Sequence, residues 1–305
     1  MNILIPNTIT DSMLTSCTVA EPAAGETVWT GGSYTIGARV IRPAIHRIFE
    51  CVADVSGATP PESDATHWLD AGPTARWAAL DQYVSTQTAT TGSLSFVLRP
   101  GFFDSIALYG LTGVSLHVTL KDAPGGSVVY DSGSVLLEED PLDWWDWAFG
   151  QSKPLTKWFV KDLALYADPE LTITVTAASG EAVGIGMLVL GTLTPMVNDS
   201  TWGGTEQGAA AAPQTFSYIK TDDYGNVSIK RRRAATDLQF KVVMPRDQAD
   251  YALALVQRVL DVPCAWIATD AAGYAGLNTF GLGSGSMSYD SFGIATFSGS
   301  VKGMV

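Results

Sequence analysis

The histidines His46, His67 and His117 are the only imidazole groups of the chain. General acid–base and nucleophilic catalysis place such a group beside a nucleophile or a second titratable residue. None of the three lies in a serine-elbow, metalloprotease or phosphate-loop motif. His117 falls on the polar positions of an alternating run, which predicts an exposed strand residue. The sequence therefore favours a protein without enzymatic activity and without a cofactor.

Five acidic residues cluster near the middle of the chain and could act as paired carboxylates or as calcium ligands. They are Glu138, Glu139, Asp140, Asp143 and Asp146. The D-x-D-x-D-G spacing of a calcium loop is missing, and we predict no metal site. We favour a solvated acidic loop. The alternative is a glycan-degrading enzyme that uses two of these carboxylates.

Three tryptophans, Trp144, Trp145 and Trp147, lie within four residues beside the acidic cluster. Three indole rings so close together cannot all point inward from a loop. Large exposed aromatic side chains are typical of sugar-binding platforms and of protein interfaces. The alternative is that the rings plug the end of a β-sandwich, and the sequence leaves both interpretations open.

The one basic run of the chain consists of Lys230, Arg231, Arg232 and Arg233. Four consecutive cations on a strand repel one another unless acidic groups lie opposite. We favour an interface at which a neighbouring subunit supplies those groups. A solvated edge strand, protected by its charges against aggregation, is the alternative.

Composition excludes several classes of protein. Of 305 residues, 46% are hydrophobic and only 16% are charged, and the net charge is −13. Nucleic acids and anionic membrane surfaces bind basic proteins, so neither is expected as a partner. No stretch is long enough to span a membrane, and residues 1–20 lack the features of a signal peptide. Cys17, Cys51 and Cys264 are too widely spaced for a zinc site, so we expect buried, reduced thiols.

Short apolar runs and turn residues predict a mainly β protein in three segments. Residues 1–90 form an N-terminal arm and a small module. Residues 91–197 alternate apolar and polar positions between Gly, Pro and Asp, which is typical of a β-sandwich, here of jelly-roll or galactose-binding-like type. Residues 198–305 form a C-terminal α+β domain with one helix, and a Gly-, Ala- and Thr-rich stretch at 198–213 is the candidate linker.

Residues 247–260 are predicted to form that helix, with one buried apolar stripe. The stripe consists of Ala249, Leu253, Val256 and Leu260. Glycine-rich hairpins follow the helix. Residues 281–285 superficially resemble a phosphate-binding loop, but a strand-like segment follows in place of a helix, so we predict a hairpin turn there.

A pattern of aromatic residues near the N-terminus resembles the small chitin-binding-type carbohydrate-binding modules. It comprises Trp29, Tyr34, Gly37, Val40, Phe49, Pro60, Pro61 and Trp68. The resemblance implies a tiny three-stranded sheet whose core is built from Trp29, Tyr34, Gly37, Phe49 and Trp68. Ala38 replaces the usual Asp, and Val52, Ala53 and Asp54 stand where such modules expose aromatics to sugar. Sugar binding by this face is therefore not expected.

The continuation at residues 68–81 is similar to a stretch in tail and baseplate proteins of tailed bacteriophages. There, such a module precedes a β-sandwich and a C-terminal α+β region. The resemblance implies a structural protein of the virion tail tip, made in the host cytoplasm and assembled as a ring around the tail hub. Its partners would be other tail proteins and further copies of itself, with a trimer as our expectation. The alternative is a receptor- or carbohydrate-binding virion protein that contacts host surface polysaccharide through exposed aromatics.

Overall fold

The chain is mainly β, with 49% of its residues in strands and 12% in helices, which confirms the predicted class. The computed structural model describes residues 1–82, 86–141, 143–151, 153–198, 204–215, 217–221, 225, 227–230, 234–269 and 274–304. Arg231, Arg232 and Arg233 of the predicted basic interface lie outside the described residues.

The strands and helices are numbered in chain order. Strands β1–β8 are Asn2–Pro6, Leu14–Cys17, Gly32–Tyr34, Arg39–Arg42, Arg47–Cys51, Val55–Gly57, Trp68–Pro73 and Thr88–Thr91. Strands β9–β17 are Ser93–Leu98, Ser105–Tyr109, Ser115–Lys121, Val128–Asp131, Val135–Leu136, Lys157–Val160, Glu170–Thr176, Ala182–Ile185 and Met187–Pro195. Strands β18–β24 are Ala210–Thr215, Tyr218–Thr221, Val227–Lys230, Ala234–Pro245, Cys264–Ile267, Asn278–Ser288 and Ile294–Gly303. Helix α1 is Trp144–Phe149 and helix α2 is Ala249–Arg258.

A nine-stranded antiparallel sheet runs through the molecule in the order β14-β10-β17-β1-β22-β23-β24-β21-β18. The N-terminal strand β1 lies between β17 and β22. Both faces of β1 are covered, since consecutive residues Ile3 and Leu4 are fully buried. Strands from all three predicted segments therefore share this sheet, and the segment boundaries at residues 90 and 197 stay a prediction.

The sheet curls into a half-barrel. Strands β10 and β23 are separated by three strands, and neighbouring strands are about 4.8 Å apart. Even so, the ring centroids of Tyr109 on β10 and Phe280 on β23 are 6.0 Å apart. Lys157 Nζ on β14 also donates to the carbonyl oxygen of Asn278 on β23 at 3.2 Å. These contacts across the concave face require strong curvature.

A six-stranded sheet packs on one end of the half-barrel and forms a sandwich with it. Its main path is β12-β11-β15-β9-β2, and β13 pairs with β11. Strand β15 has the predicted alternation, because Leu171, Ile173 and Val175 are fully buried between threonines. Their core includes Ile106 and Leu108 of the facing β10.

Helix α2 covers the other end of the nine-stranded sheet, and a 3₁₀ turn at Arg246–Gln248 leads into it. Its buried residues are Ala249, Ala252, Leu255 and Val256. Of the predicted stripe, Ala249 and Val256 are buried and Leu253 is half-buried, but the prediction is wrong at Leu260, which is exposed. The helix ends at Arg258, so the helical spacing does not extend to that leucine.

The prediction of a hairpin turn at residues 281–285 is also wrong. These residues lie within β23 and pair with β24. A Cβ on Gly283 would collide with the Trp266 ring, and one on Gly285 would collide with Phe297. The glycines are therefore required because aromatic rings of the core lie directly against the strand.

The small module consists of the sheet β4-β5-β7 and the strand pair β3-β6. Trp68 and Phe49 are buried, and Tyr34 meets Trp68 edge-on at 5.2 Å between ring centroids. Trp29 is half-buried beneath the Arg42 guanidinium, whose carbon lies 4.9 Å from its ring centroid. Gly37 has a φ of +87°, a backbone conformation that favours glycine.

One buried carboxylate joins the module to the sandwich. The side chain of Glu21 is 6% exposed. It accepts hydrogen bonds from Thr74 Oγ1 at 2.6 Å and Trp77 Nε1 at 3.1 Å, and His46 Nδ1 lies 2.9 Å from its Oε2. The His46 ring stacks on Trp77 with 4.0 Å between centroids. Because His46 belongs to the module and Trp77 to the sandwich core, Glu21 fixes one relative to the other.

Candidate interaction surfaces

The segment between β13 and β14 carries helix α1 away from the sandwich. Glu138 forms an isolated bridge with Pro154, and the Glu139 N–H donates to the Lys153 carbonyl oxygen at 2.8 Å. These bonds close the base of the excursion. The prediction of a solvated acidic loop is wrong for residues 144–149, which form helix α1. Asp143 caps the helix by accepting from the Asp146 N–H at 2.8 Å.

Trp144, Trp145 and Trp147 project from α1 into solvent. Their exposed fractions are 72%, 61% and 77%. The alternative prediction, that these rings pack into the end of the β-sandwich, is therefore wrong for the single chain. Trp145 packs on Phe149 with 4.5 Å between centroids, and Trp144 meets Trp145 edge-on at 6.0 Å. The helix thus presents a ridge of aromatic rings with no core beneath it.

An open cleft of about 680 Å³ lies between this excursion and β13. Trp147 stands on one side, and the lining includes four of the predicted acidic residues, Glu138, Glu139, Asp140 and Asp146. Asp146 is paired with Lys153 at 3.2 Å. Among the described residues, Glu138, Glu139 and Asp140 have no ion-pair partner. No group of three or more His, Cys, Asp or Glu in the described chain is arranged to hold a metal ion.

A β-hairpin, formed by β19 and β20 and termed the arm, extends the edge of the nine-stranded sheet. It connects β18 to β21, which pair up to Thr215 and Ala234. Tyr218, Val227 and Ile229 of the arm are each more than half exposed. Lys230 is exposed as well and pairs with Tyr218 across the hairpin. A two-stranded hairpin is at best marginally stable alone. The exposed apolar and cationic side chains of the arm are therefore a candidate contact surface.

A cavity of about 350 Å³ lies inside the curled sheet, lined by residues of β10, β14, β21 and β23. Burial raises the pKa of the Tyr109 hydroxyl, which stays neutral, and desolvation lowers the pKa of Lys157. Thr279 Oγ1 donates to the Thr236 carbonyl oxygen at 2.8 Å. Together with the bond from Lys157 to Asn278, this contact links β14, β23 and β21 across the curled sheet.

Each histidine is paired with a carboxylate. His67 Nδ1 lies 2.8 Å from Asp64, and exposed His117 contacts Asp131 at 2.7 Å. The His67 contact lowers the pKa of Asp64. The Gly133 N–H, followed by His117, lowers the pKa of Asp131. In the described part of the chain, none of these histidines is hydrogen-bonded to a serine or cysteine that could act as a nucleophile.

The cysteines are all free thiols. Cys51 and Cys264 are buried, whereas Cys17 is only half-buried, so the expectation of burial holds for two of the three. Burial raises the pKa of Cys264 to about 12 and also raises that of Cys17. Thiols with raised pKa values are poor nucleophiles.

The module face that would bind sugar in the resembling family carries Val52, Ala53 and Asp54. Asp54 is committed to the fold, since its Oδ1 accepts from the Ile36 N–H at 2.9 Å. The face therefore has no aromatic platform at these positions.

Two features of the structure go beyond the sequence predictions. The role of Glu21 is not visible in the sequence, because its partners come from residues 25 to 56 positions away. The apolar face of the arm is signalled only by the alternation in residues 227–230.

No protein-family model, no curated protein and no solved structure matches the chain. Within the described residues, no helix combines the length and apolar character needed to cross a membrane.

Proposed function

We propose that the protein is a structural subunit of a bacteriophage tail tip or baseplate, assembled with other tail proteins and with copies of itself. The observation that carries the proposal is the exposure of apolar side chains on two projections, helix α1 and the arm. In the described part of the chain, the apolar side chains of both projections remain exposed to solvent. The sequence resemblance at residues 68–81 and the order of the three segments support a tail protein in particular.

The charge content supports large contacts between subunits. Interface cores are depleted in charged residues, and only 16% of this chain is charged against about 25% in an average protein. Two exposed groups of opposite charge stand out in the described chain, the acidic residues beside α1 and the lysines Lys220 and Lys230 of the arm. Segregated charge of this kind selects and orients partners during association.

The proposal is tested by locating the chain in purified virions. Quantitative mass spectrometry should find several copies per particle, and antibody labelling in negative-stain images should place them at the tail end. Particles that lack the chain, or labelling confined to the capsid, would contradict the proposal.

A second candidate is binding of host surface polysaccharide, favoured by the three exposed tryptophans of α1. Aromatic faces stack on the apolar faces of sugar rings, and adjacent carboxylates can accept hydrogen bonds from hydroxyl groups. Trp144→Ala and Trp147→Ala should each reduce retention on immobilised host polysaccharide. Val52→Ala on the module face serves as the matched control. Retention equal to that of the parent would remove this role from α1.

A further inference from the structure

The sequence gives the arm and the α1 excursion opposite charges. Residues 216–233, which contain the arm, carry five Lys and Arg against two Asp, although the whole chain has 18 basic and 31 acidic residues. Residues 138–146 carry five acidic and no basic residues. Lys220 and Lys230 of the arm and the acidic residues of the α1 excursion thus place opposite charges on two exposed parts of the described chain.

The two faces of the arm differ in chemistry. Residues that are directly opposite across a hairpin point to the same face, and residues two apart along a strand do so as well. Tyr218 is opposite Lys230, and Lys220 is opposite Ser228, so these four residues share one face. Val227 and Ile229 alternate with them and lie on the other face. Both lysines are exposed and have no ion-pair partner among the described residues.

The acidic cleft has the complementary arrangement. Glu138, Glu139 and Asp140 are exposed and unpaired in the described chain, and Trp147 offers an aromatic surface beside them. Exposed Leu136 also lines the cleft. A partner that fits must therefore bring cations together with an aromatic or aliphatic side chain. The face of the arm with Tyr218, Lys220 and Lys230 has this composition.

We propose that the arm of one copy docks in the acidic cleft of a second copy. This inference rests on the proposed function, because it names the self-contact through which the subunits assemble. It matches unpaired carboxylates with unpaired lysines and covers exposed apolar side chains on both sides. Since arm and cleft are different surfaces, the contact is head-to-tail, and such contacts build rings or open filaments.

Charge-swap variants test the docking in solution. Reversal of the arm, Lys220→Glu with Lys230→Glu, places like charges against the cleft and should weaken self-association by about tenfold or more. Reversal of the cleft, Glu138→Lys with Glu139→Lys, should do the same. An equimolar mixture of the two reversed proteins should associate again, because their charges are once more opposite. Lys302→Glu on β24 and Glu181→Lys before β16, both at exposed positions outside the arm and the cleft, are the matched controls.

Sedimentation velocity over a range of concentrations provides the readout. The parent should show concentration-dependent association that weakens as salt is raised. A cysteine pair gives a second measurement: mixed copies with Lys230→Cys and Glu139→Cys should form a disulfide-linked dimer, while neither variant alone should yield as much.

The outcomes separate the inference from the function it rests on. Association that survives both charge reversals, or a mixture that fails to recover it, would overturn docking of the arm while leaving a tail-tip subunit intact. A parent that remains a monomer at all concentrations would also overturn the docking. Absence of the chain from virions would instead contradict the proposed function. Retention of polysaccharide that is lost on cleft reversal, with association unchanged, would assign the cleft to a glycan and contradict the proposal.

Discussion

Truncation of the Glu21 side chain isolates the contact that joins the small module to the sandwich. Glu21→Ala removes the acceptor of Thr74, which is fully buried, and of Trp77, which is 8% exposed. An unsatisfied buried donor costs about 1–3 kcal/mol, so the two together should lower the free energy of unfolding by about 2–6 kcal/mol. The His46 side chain is 21% exposed, so its ring can bond to water and adds little.

Urea denaturation followed by tryptophan fluorescence and by circular dichroism measures this loss. Glu21→Gln keeps the shape and one acceptor oxygen, so it should lose less than Glu21→Ala. Glu181→Ala, at an exposed turn, is the control and should stay within about 0.5 kcal/mol of the parent. If Glu21→Ala unfolds at the same urea concentration as Glu181→Ala, the carboxylate does not hold the junction.

Three further predictions concern the core, a thiol and acid stability. Gly283→Ala forces a Cβ against the Trp266 ring and should destabilise the protein by about 1–3 kcal/mol in urea denaturation, whereas an unchanged midpoint would show that the strand has room. Cys264, with a pKa raised to about 12, should resist iodoacetamide at pH 8 in the folded protein and react after denaturation; rapid native labelling of the peptide that contains Cys264, identified by mass spectrometry, would contradict its burial. The pKa of Asp131 is lowered in the folded state by the Gly133 N–H, so its contribution is present above the unfolded pKa of about 3.9 and is lost as pH falls through the folded value. The difference in urea midpoint between the parent and Asp131→Asn should therefore be present at pH 6 and shrink below about pH 4; a constant difference would exclude the carboxylate's charge as the cause.

Strands with one covered face could be predicted from the sequence. In β15, leucine, isoleucine and valine alternate with threonine because one face of the strand packs in the core and the other face is only half-buried. The helix α2 was predicted for the same reason, from its apolar spacing. Its end was misplaced because Leu260 continues the pattern after the helix has stopped.

Strands with two covered faces could not be predicted in the same way. Strand β1 is short and apolar on both faces, so Ile3 and Leu4 show no alternation. Its position between β17 and β22 depends on residues almost 200 and more than 250 positions away. The glycines of β23 resemble a turn in sequence, and only the rings packed against them explain why they belong to a strand.

The candidate surfaces were predicted in composition but not in shape. The exposed aromatics and the acidic cluster were recognisable from residue types alone. Asp143 caps a helix where the sequence predicts a loop, and the bridge between Glu138 and Pro154 closes the base of the segment that carries this helix. The alternation of residues 227–230 indicates an apolar face on the arm, but which residues of the facing strand share it follows only from the pairing register.

Electron cryomicroscopy of the intact tail end tests the central claim most directly. The proposed function predicts several copies of this chain around the tail axis, with helix α1 and the arm of each copy covered by neighbouring subunits. A map in which the tail end contains no copy of the chain, or in which both projections remain in solvent, would contradict it.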